Sequence, residues 1–157
     1  MRRRRGLPLP LPLPIILLFI GVLVLFIFAI SLFRSSPEDE AKDLVAEFYE
    51  YEQDADFGSS WELFHPLMKE KFTKSDYIQQ RNHVFVGHFG TDTFQYTVGE
   101  VEEVDSWKMT KNAITLKNVY KVPITQTYKS TYGTFTIHQD IFVTQEKDEW
   151  TVLWSYQ

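Results

Sequence analysis

The sequence contains no cysteine, which excludes disulfide staples, thiol catalysis and lipoprotein-type acylation. Acidic residues are missing from the first 34 positions, so all 21 Asp and Glu follow Arg34, whereas five of the 16 Lys and Arg lie at or before it. The remainder of the chain therefore sets 11 basic against 21 acidic residues, a net charge of −10 where the whole chain has −5. Such a surface excludes nucleic acid and adhesion to anionic lipid, both of which reward basic patches, and it favours solubility through self-repulsion. No internal repeat, phosphate-cradling loop, Ser/His/Asp arrangement or basic aromatic patch is present in the sequence.

Charge is absent altogether from Ile15 to Phe33, IILLFIGVLVLFIFAISLF, where only Ser31 carries a hydrogen-bonding side chain. A helix of that length rises about 28 Å at 1.5 Å per residue, close to the hydrocarbon thickness of a bilayer. Only a helix satisfies its own backbone in lipid, so residues 15–33 are expected to span a membrane and contact its lipid. Arg2 to Arg5 precede the span and Arg34 follows it, which places the N-terminus in the cytoplasm and the C-terminal part outside the membrane. The apolar run is longer than that of a secretory signal, and bulky Leu32 and Phe33 follow the Ala29-Ile30-Ser31 box, so the segment reads as an uncleaved signal anchor. The alternating Leu-Pro run from Leu7 to Pro14 cannot be helical and reads as a stiff extended spacer, with Pro14 suited to the first turn of the span. This gives a basic, proline-rich tail over residues 1–14, an anchor over 15–33 and one exported domain over 34–157.

The exported part opens on a helix start. Ser36 can cap, Pro37 suits the first helical position, and Glu38, Asp39 and Glu40 complement the dipole. Ala41, Leu44, Val45 and Phe48 then recur at helical spacing, with Tyr51 or Glu52 next, to an end near Gln53. A second helix runs from Ser59 or Ser60 through Trp61, Leu63 and Phe64; Pro66 stops or re-initiates it, and Leu67, Met68 and Phe72 continue its apolar face. Trp61 is expected against Phe48, where Trp61→Ala would cost about 3–5 kcal/mol if the ring is fully buried. Thr73 to Asp76 cap a third helix carrying Tyr77, Ile78, Arg81 and Val84 or Phe85, and Gly87, Gly90 and Asp92 mark its exit.

Beyond that point the period changes to two. Phe94, Tyr96 and Val98 alternate with polar residues, and Gly99 suggests a bulge or bend. Leu116, Tyr120, Val122, Ile124 and Tyr128 share one face of a long strand, in which Pro123 demands an edge position or a bulge. Phe135, Ile137, Ile141 and Val143 alternate along the next strand, and Glu146 to Glu149 turn into Trp150, Val152, Trp154 and Tyr156. Helices first and strands afterwards predict an α+β domain, three helices packed on one antiparallel sheet.

The order of elements, together with Asp56-Phe57-Gly58-Ser59-Ser60-Trp61-Glu62-Leu63-Phe64-His65-Pro66 and Phe72-Thr73-Lys74-Ser75-Asp76-Tyr77, resembles the nuclear transport factor 2-like superfamily. The first segment is similar to that family's turn between its first two helices, and the second to the entry of its third. The resemblance covers about residues 37–157 and implies a cone-shaped domain whose strongly bent sheet wraps a pocket. It is closest to the membrane-anchored, extracytoplasmic bacterial versions, which implies a non-enzymatic binding or assembly module in the cell envelope, with an envelope protein or a second copy as partner. Ketosteroid isomerases, scytalone dehydratase and polyketide cyclases of the same superfamily place acid/base residues in the pocket, so an isomerase- or dehydratase-type enzyme using a polar pair inside the cone is the alternative. Fold alone does not choose between them.

The candidate chemistry is thin. His83 and His88 are five apart, too far for a one-face zinc pair; His65 precedes a proline, and His138 lies on a polar strand face. No metal and no cofactor is expected. Asp140 is the acid most exposed to suspicion, but alternation turns it away from Ile137, Ile141 and Val143, and Asp56 is accounted for by helix capping. The inward polar insertions are Asn118, Gln126 and Gln139, and amides do not exchange protons near neutral pH. Trp61, Tyr120, Gln126, Tyr128, Gln139 and Trp154 are the residues expected to line a ligand pocket, with no catalytic residue among them.

Overall fold

The computed structural model describes residues 12–32, 35–84, 90–91 and 93–155, and the chain divides into two compact units at Ser35/Ser36. In the first unit, helix α1 covers Leu13–Leu32. The Pro12 carbonyl accepts the amides of Ile15 and Ile16 at 2.9 and 3.4 Å, so Pro14 falls in the first turn, where its missing N–H costs nothing. The large apolar side chains described in α1, from Ile15 to Phe26 and at Phe28, are exposed on every side. Among the described residues no helix is long and apolar enough to cross a membrane. The arginine-proline tail before Leu11 and the expected flank at Phe33 and Arg34 lie outside the described residues, as do Phe85, Gly87, His88, Asp92 and Tyr156.

The second unit is the expected α+β arrangement of helices on one antiparallel sheet, with four α-helices among the described residues where three were expected. Helix α2 (Pro37–Gln53) starts on a reciprocal cap: Ser36 Oγ accepts the Asp39 amide at 3.1 Å and the Asp39 carboxylate accepts the Ser36 amide. Its core face is Ala41, Val45, Phe48, Tyr49 and Glu52. The middle helix is split into α3 (Phe57–Glu62) and α4 (Pro66–Lys71), followed by α5 (Lys74–Asn82). The split has a tertiary cause. The Leu63 carbonyl accepts the Val152 amide (2.8 Å) and the His65 amide donates to the Val152 carbonyl (3.1 Å), so Phe64 lies as a short parallel strand beside Val152, and Pro66 restarts the helix at its first position.

The sheet comprises β1 (Gln95–Val98), β2 (Glu102–Trp107), β3 (Leu116–Ser130), β4 (Gly133–Glu146) and β5 (Glu149–Trp154). Its order is β1-β3-β4-β5, and β2 continues beside β3 beyond β1. Strand β2 is the one element the sequence pattern conceals, because its half-buried Val104 and Trp107 recur at spacing three and three acids and Ser106 fill the rest. Pro123 sits in the central strand, yet its missing donor harms nothing. Val98 pairs with Ile124 and Glu102 with Lys121, so Pro123 faces the corner between β1 and β2, where the Gly99 amide donates to its carbonyl at 2.8 Å. A Cβ at Gly99 would stand 3.2 Å from that carbonyl oxygen, which explains glycine at the corner. Alternation along β3 breaks at Asn118, whose φ of 52° lets Val119 and Tyr120 both be buried. Asn118 itself is exposed rather than inward. Along β4 the parity holds, with Gln139 inward and Asp140 exposed.

Candidate functional site

Helix α2 carries the polar interior. Tyr49 and Glu52 lie one turn apart on its core face, and a second set of residues meets each of them. The Glu52 carboxylate, 2% exposed as a residue, accepts from Ser60 Oγ on α3 (2.5 Å), from Tyr77 Oη on α5 (2.8 Å) and from Arg81 Nε on α5 (2.6 Å), and Arg81 Nη2 closes the ion pair. A carboxylate taken out of water needs a countercharge and filled lone pairs, and this one has both. Burial pushes the Tyr77 hydroxyl well above the usual tyrosine range and Glu52 adds to the rise. Burial works against the Arg81 cation, but Glu52 and Tyr77 outweigh it and hold the guanidinium more firmly protonated than usual.

The second set connects α2 to the sheet. Tyr128 Oη donates to Gln126 Oε1 (2.6 Å), Gln126 Nε2 donates to Tyr49 Oη (3.4 Å), and Tyr49 Oη donates to Gln139 Oε1 (3.4 Å). Tyr49 and Tyr128 are each 1% exposed. Burial pushes the Tyr128 hydroxyl up to about 12, with Arg81 pulling against it, and raises Tyr49 further by the same cause. Both hydroxyls therefore stay protonated at neutral pH and act as donors. The space around them is taken by rings: Phe94 meets Tyr49 at 6.2 Å, Tyr96 at 6.4 Å and Tyr128 at 5.2 Å, and Phe135 stacks on Tyr128 at 5.0 Å. Phe94 also lines a groove of about 390 Å³ with Thr91, Thr93, Gln95, Thr127 and Lys129, so its ring separates that groove from the tyrosine–amide chain.

Gln126, Tyr128 and Gln139 come together in one hydrogen-bonded chain, joined by Tyr49, which carried no signal beyond its helix position. The other three lie elsewhere. Trp154 packs between Phe64 and Phe72, with ring centres at 5.1 and 6.0 Å. Trp61 lies half-buried on the outer side of α3, its indole N–H donating to the Phe72 carbonyl (2.8 Å) and its face covered by Lys69 and Lys74. Tyr120 meets Trp150 at 5.6 Å near the end of the sheet distant from Gln126 in sequence register. Asp56 caps α3 through Ser59, whose hydrogen bonds hold its carboxyl below the usual range. Among the described residues no three His, Asp or Glu side chains could hold a metal ion.

His65 has a structural role with a pH signature. Its Nδ1 accepts the Leu67 amide at 3.1 Å and caps α4, so the proton sits on Nε2. Nε2 is buried without a hydrogen-bond partner among the described residues, 3.8 Å from Glu146 Oε2. Burial lowers the His65 pKa, while Glu146 and Glu70 pull it back up. A folded-state pKa below the unfolded reference of about 6.5 means that the unfolded chain binds more protons, so the stability from neutral His65 is present above that reference and is lost as the pH falls below it. Chemical denaturation at pH 7.5 and 5.5 is expected to show the loss, and His65→Asn, which retains a capping acceptor, is expected to reduce it. An unchanged pH dependence in that variant would assign the loss elsewhere.

No protein-family model matches the chain, and comparison with curated proteins gives no match.

Proposed function

We propose that this chain is a single-pass membrane protein that displays a non-catalytic binding or assembly domain outside the membrane, in the cell envelope, with a cone-shaped fold of the nuclear transport factor 2-like type. Support for the anchor comes from α1: its backbone is helical over 20 residues, about 30 Å at 1.5 Å per residue, and its sequence carries no charge. A helix apolar on all sides has no stable place in water. Arg2 to Arg5 ahead of it, against the single Arg34 directly after it, support a cytoplasmic N-terminus and an exported domain.

The observation that carries the non-catalytic reading is the state of the interior. The buried carboxylate of Glu52 is already engaged by Ser60, Tyr77 and Arg81, and the buried tyrosines are held protonated and surrounded by rings. A general base needs a free lone pair facing a substrate. Here the interior carboxylate, tyrosine hydroxyls and amides are spent on their neighbours, the buried His65 carries its Nδ1 as a helix cap, and the acid of the outer face, Asp140, is exposed and apart from them. The domain therefore works through its surface.

The test is topological. A reporter fused after Gln157 that is active only outside the cytoplasm is expected to be active, and the full chain is expected in the membrane fraction at undiminished length. A cytoplasm-only signal would reverse the orientation, and a mature chain beginning near Leu32 would replace the anchor by a cleaved signal.

A further inference from the structure

A sheet edge with unpaired backbone groups is a template for another strand, and natural sheets blunt such edges with charge, brevity or cover. Three edges of this sheet are blunted. Strand β1 is four residues long, and Gln53 Nε2 donates to the Phe94 carbonyl at its entrance (2.6 Å). Strand β2 carries Glu102, Glu103 and Asp105. Strand β5 is covered by Leu63 to His65 through Val152.

The fourth edge is different. Strand β4 runs from Gly133 to Glu146, but among the described residues β5 pairs with its second half alone, from Ile141 onward. The direction of the remaining groups follows from Pro123. Its carbonyl accepts from Gly99, away from β4, so Pro123 and its partner Asp140 form a non-hydrogen-bonded pair. The amide and carbonyl of Asp140 therefore point outward, and by the two-residue period so do those of His138, Thr136 and Thr134. None of these four residues makes a further backbone hydrogen bond among the described residues; the His138 side chain meets Thr125 Oγ1 through Nδ1 at 3.0 Å. The segment Thr134-Phe135-Thr136-Ile137-His138-Gln139 carries no Asp, Glu, Lys, Arg or Pro, and Phe135 and Ile137 on its inner face are only half-buried.

We propose that the Thr134–Asp140 edge of β4 pairs antiparallel with the same edge of a second copy of this chain, with Ile137 on the two-fold axis. This rests on the reading of the domain as an assembly module and names its partner; it does not rest on the anchor. The register is set by the edge itself. Centring on Ile137 matches Thr134 with the partner's Asp140 and Thr136 with the partner's His138, so all four outward residues pair, about eight backbone hydrogen bonds form in two-residue exchanges, and β5 is left in place. No like charges meet. Ile137 faces its own copy, and Phe135 meets the partner's Gln139, which covers the apolar side chains that the lone edge leaves half open. A symmetric closed pair is the commonest outcome for a self-complementary strand edge.

The absence of cysteine permits a clean test in the full chain, in membranes or in detergent. At the two-fold axis, facing residues of a non-hydrogen-bonded pair have Cα atoms about 4.5 Å apart, within the range that a disulfide bridges. Ile137→Cys is expected to convert most of the chain to a covalent dimer on mild oxidation, whereas Thr125→Cys, half-buried on the opposite face of the sheet in β3, is expected to remain monomeric. Adding Thr136→Pro to Ile137→Cys removes an outward amide that no bond inside the chain uses, and is expected to abolish the cross-link; Thr136→Lys serves the same purpose without altering the backbone. Failure of Ile137→Cys to form dimers, equal cross-linking by Thr125→Cys, persistence of the cross-link in both Thr136 variants, or capture of a different protein instead of a second copy would each overturn the pairing. Failure of the Ile137→Cys single variant to cross-link while the Gln157 reporter still reads outside overturns the pairing alone.

Discussion

Arg81→Ala is expected to destabilise the folded domain by about 3–5 kcal/mol, because it leaves an uncompensated carboxylate in the interior. The Glu52 side chain has no solvent exposure, and Arg81 supplies its only countercharge among the described residues, through Nε at 2.6 Å and through Nη2. Ser60 and Tyr77 would still donate to it, but two neutral donors do not replace a guanidinium. Truncating the other side, Glu52→Ala, is expected to cost less, since Arg81 is half-buried and can turn toward water. Removing both charges, as Glu52→Leu with Arg81→Met, is expected to recover much of the loss, the signature of a pair whose value lies in mutual compensation. Urea denaturation of the four proteins gives the coupling directly. Additive losses would mean that the two side chains do not depend on one another.

Phe64→Ala is expected to cost a similar amount, about 3–5 kcal/mol, through the cavity it leaves. Phe64 is 1% exposed and meets three aromatic side chains from three directions: Phe48 on α2 at 5.9 Å, Tyr77 on α5 at 4.8 Å and Trp154 on β5 at 5.1 Å. Its backbone is fixed between Leu63 and His65 against Val152, so the site cannot collapse to fill the void. Trp61→Ala is expected to cost less than Phe64→Ala, because the indole is half-buried and covered by lysine stems instead of sitting against Phe48. Thermal melts of the two variants check the order; a larger loss at Trp61 would place the weight of the core on the outer side of α3.

The contrast between those two aromatic residues shows where the sequence stops being informative. Both fall in one apolar run after Ser60, and helical periodicity alone favours Trp61 as the ring against Phe48. Breaking the run at Phe64 turns that residue inward as a strand and leaves Trp61 outside, and the break depends on Val152, far along the chain. Glu52 illustrates the same limit in a different way. It follows Ala41, Val45 and Phe48 on the buried face of α2, and Arg81 follows Tyr77 one turn later on α5. A charged residue on an apolar face was a legible signal for each of them. That the two belong to each other was not, because 29 residues separate them and no local pattern encodes that approach.

Local chemistry by itself determined the helix caps at Ser36, Asp56 and Thr73, the alternation that keeps Gln126 and Gln139 inward and Asp140 outward, and the succession of helices then antiparallel strands. Each of these follows from residues a few positions apart, through side chain-to-backbone hydrogen bonds or a period of 3.6 or two. Only the tertiary structure decided which residues complete the interior, where Pro123 could sit without losing a bond, and how far β5 extends along β4. Those depend on strand register and on contacts across tens of residues, and they are what joins Tyr49 to the amides, gives Glu52 its countercharge and leaves the Thr134–Asp140 edge unpaired among the described residues.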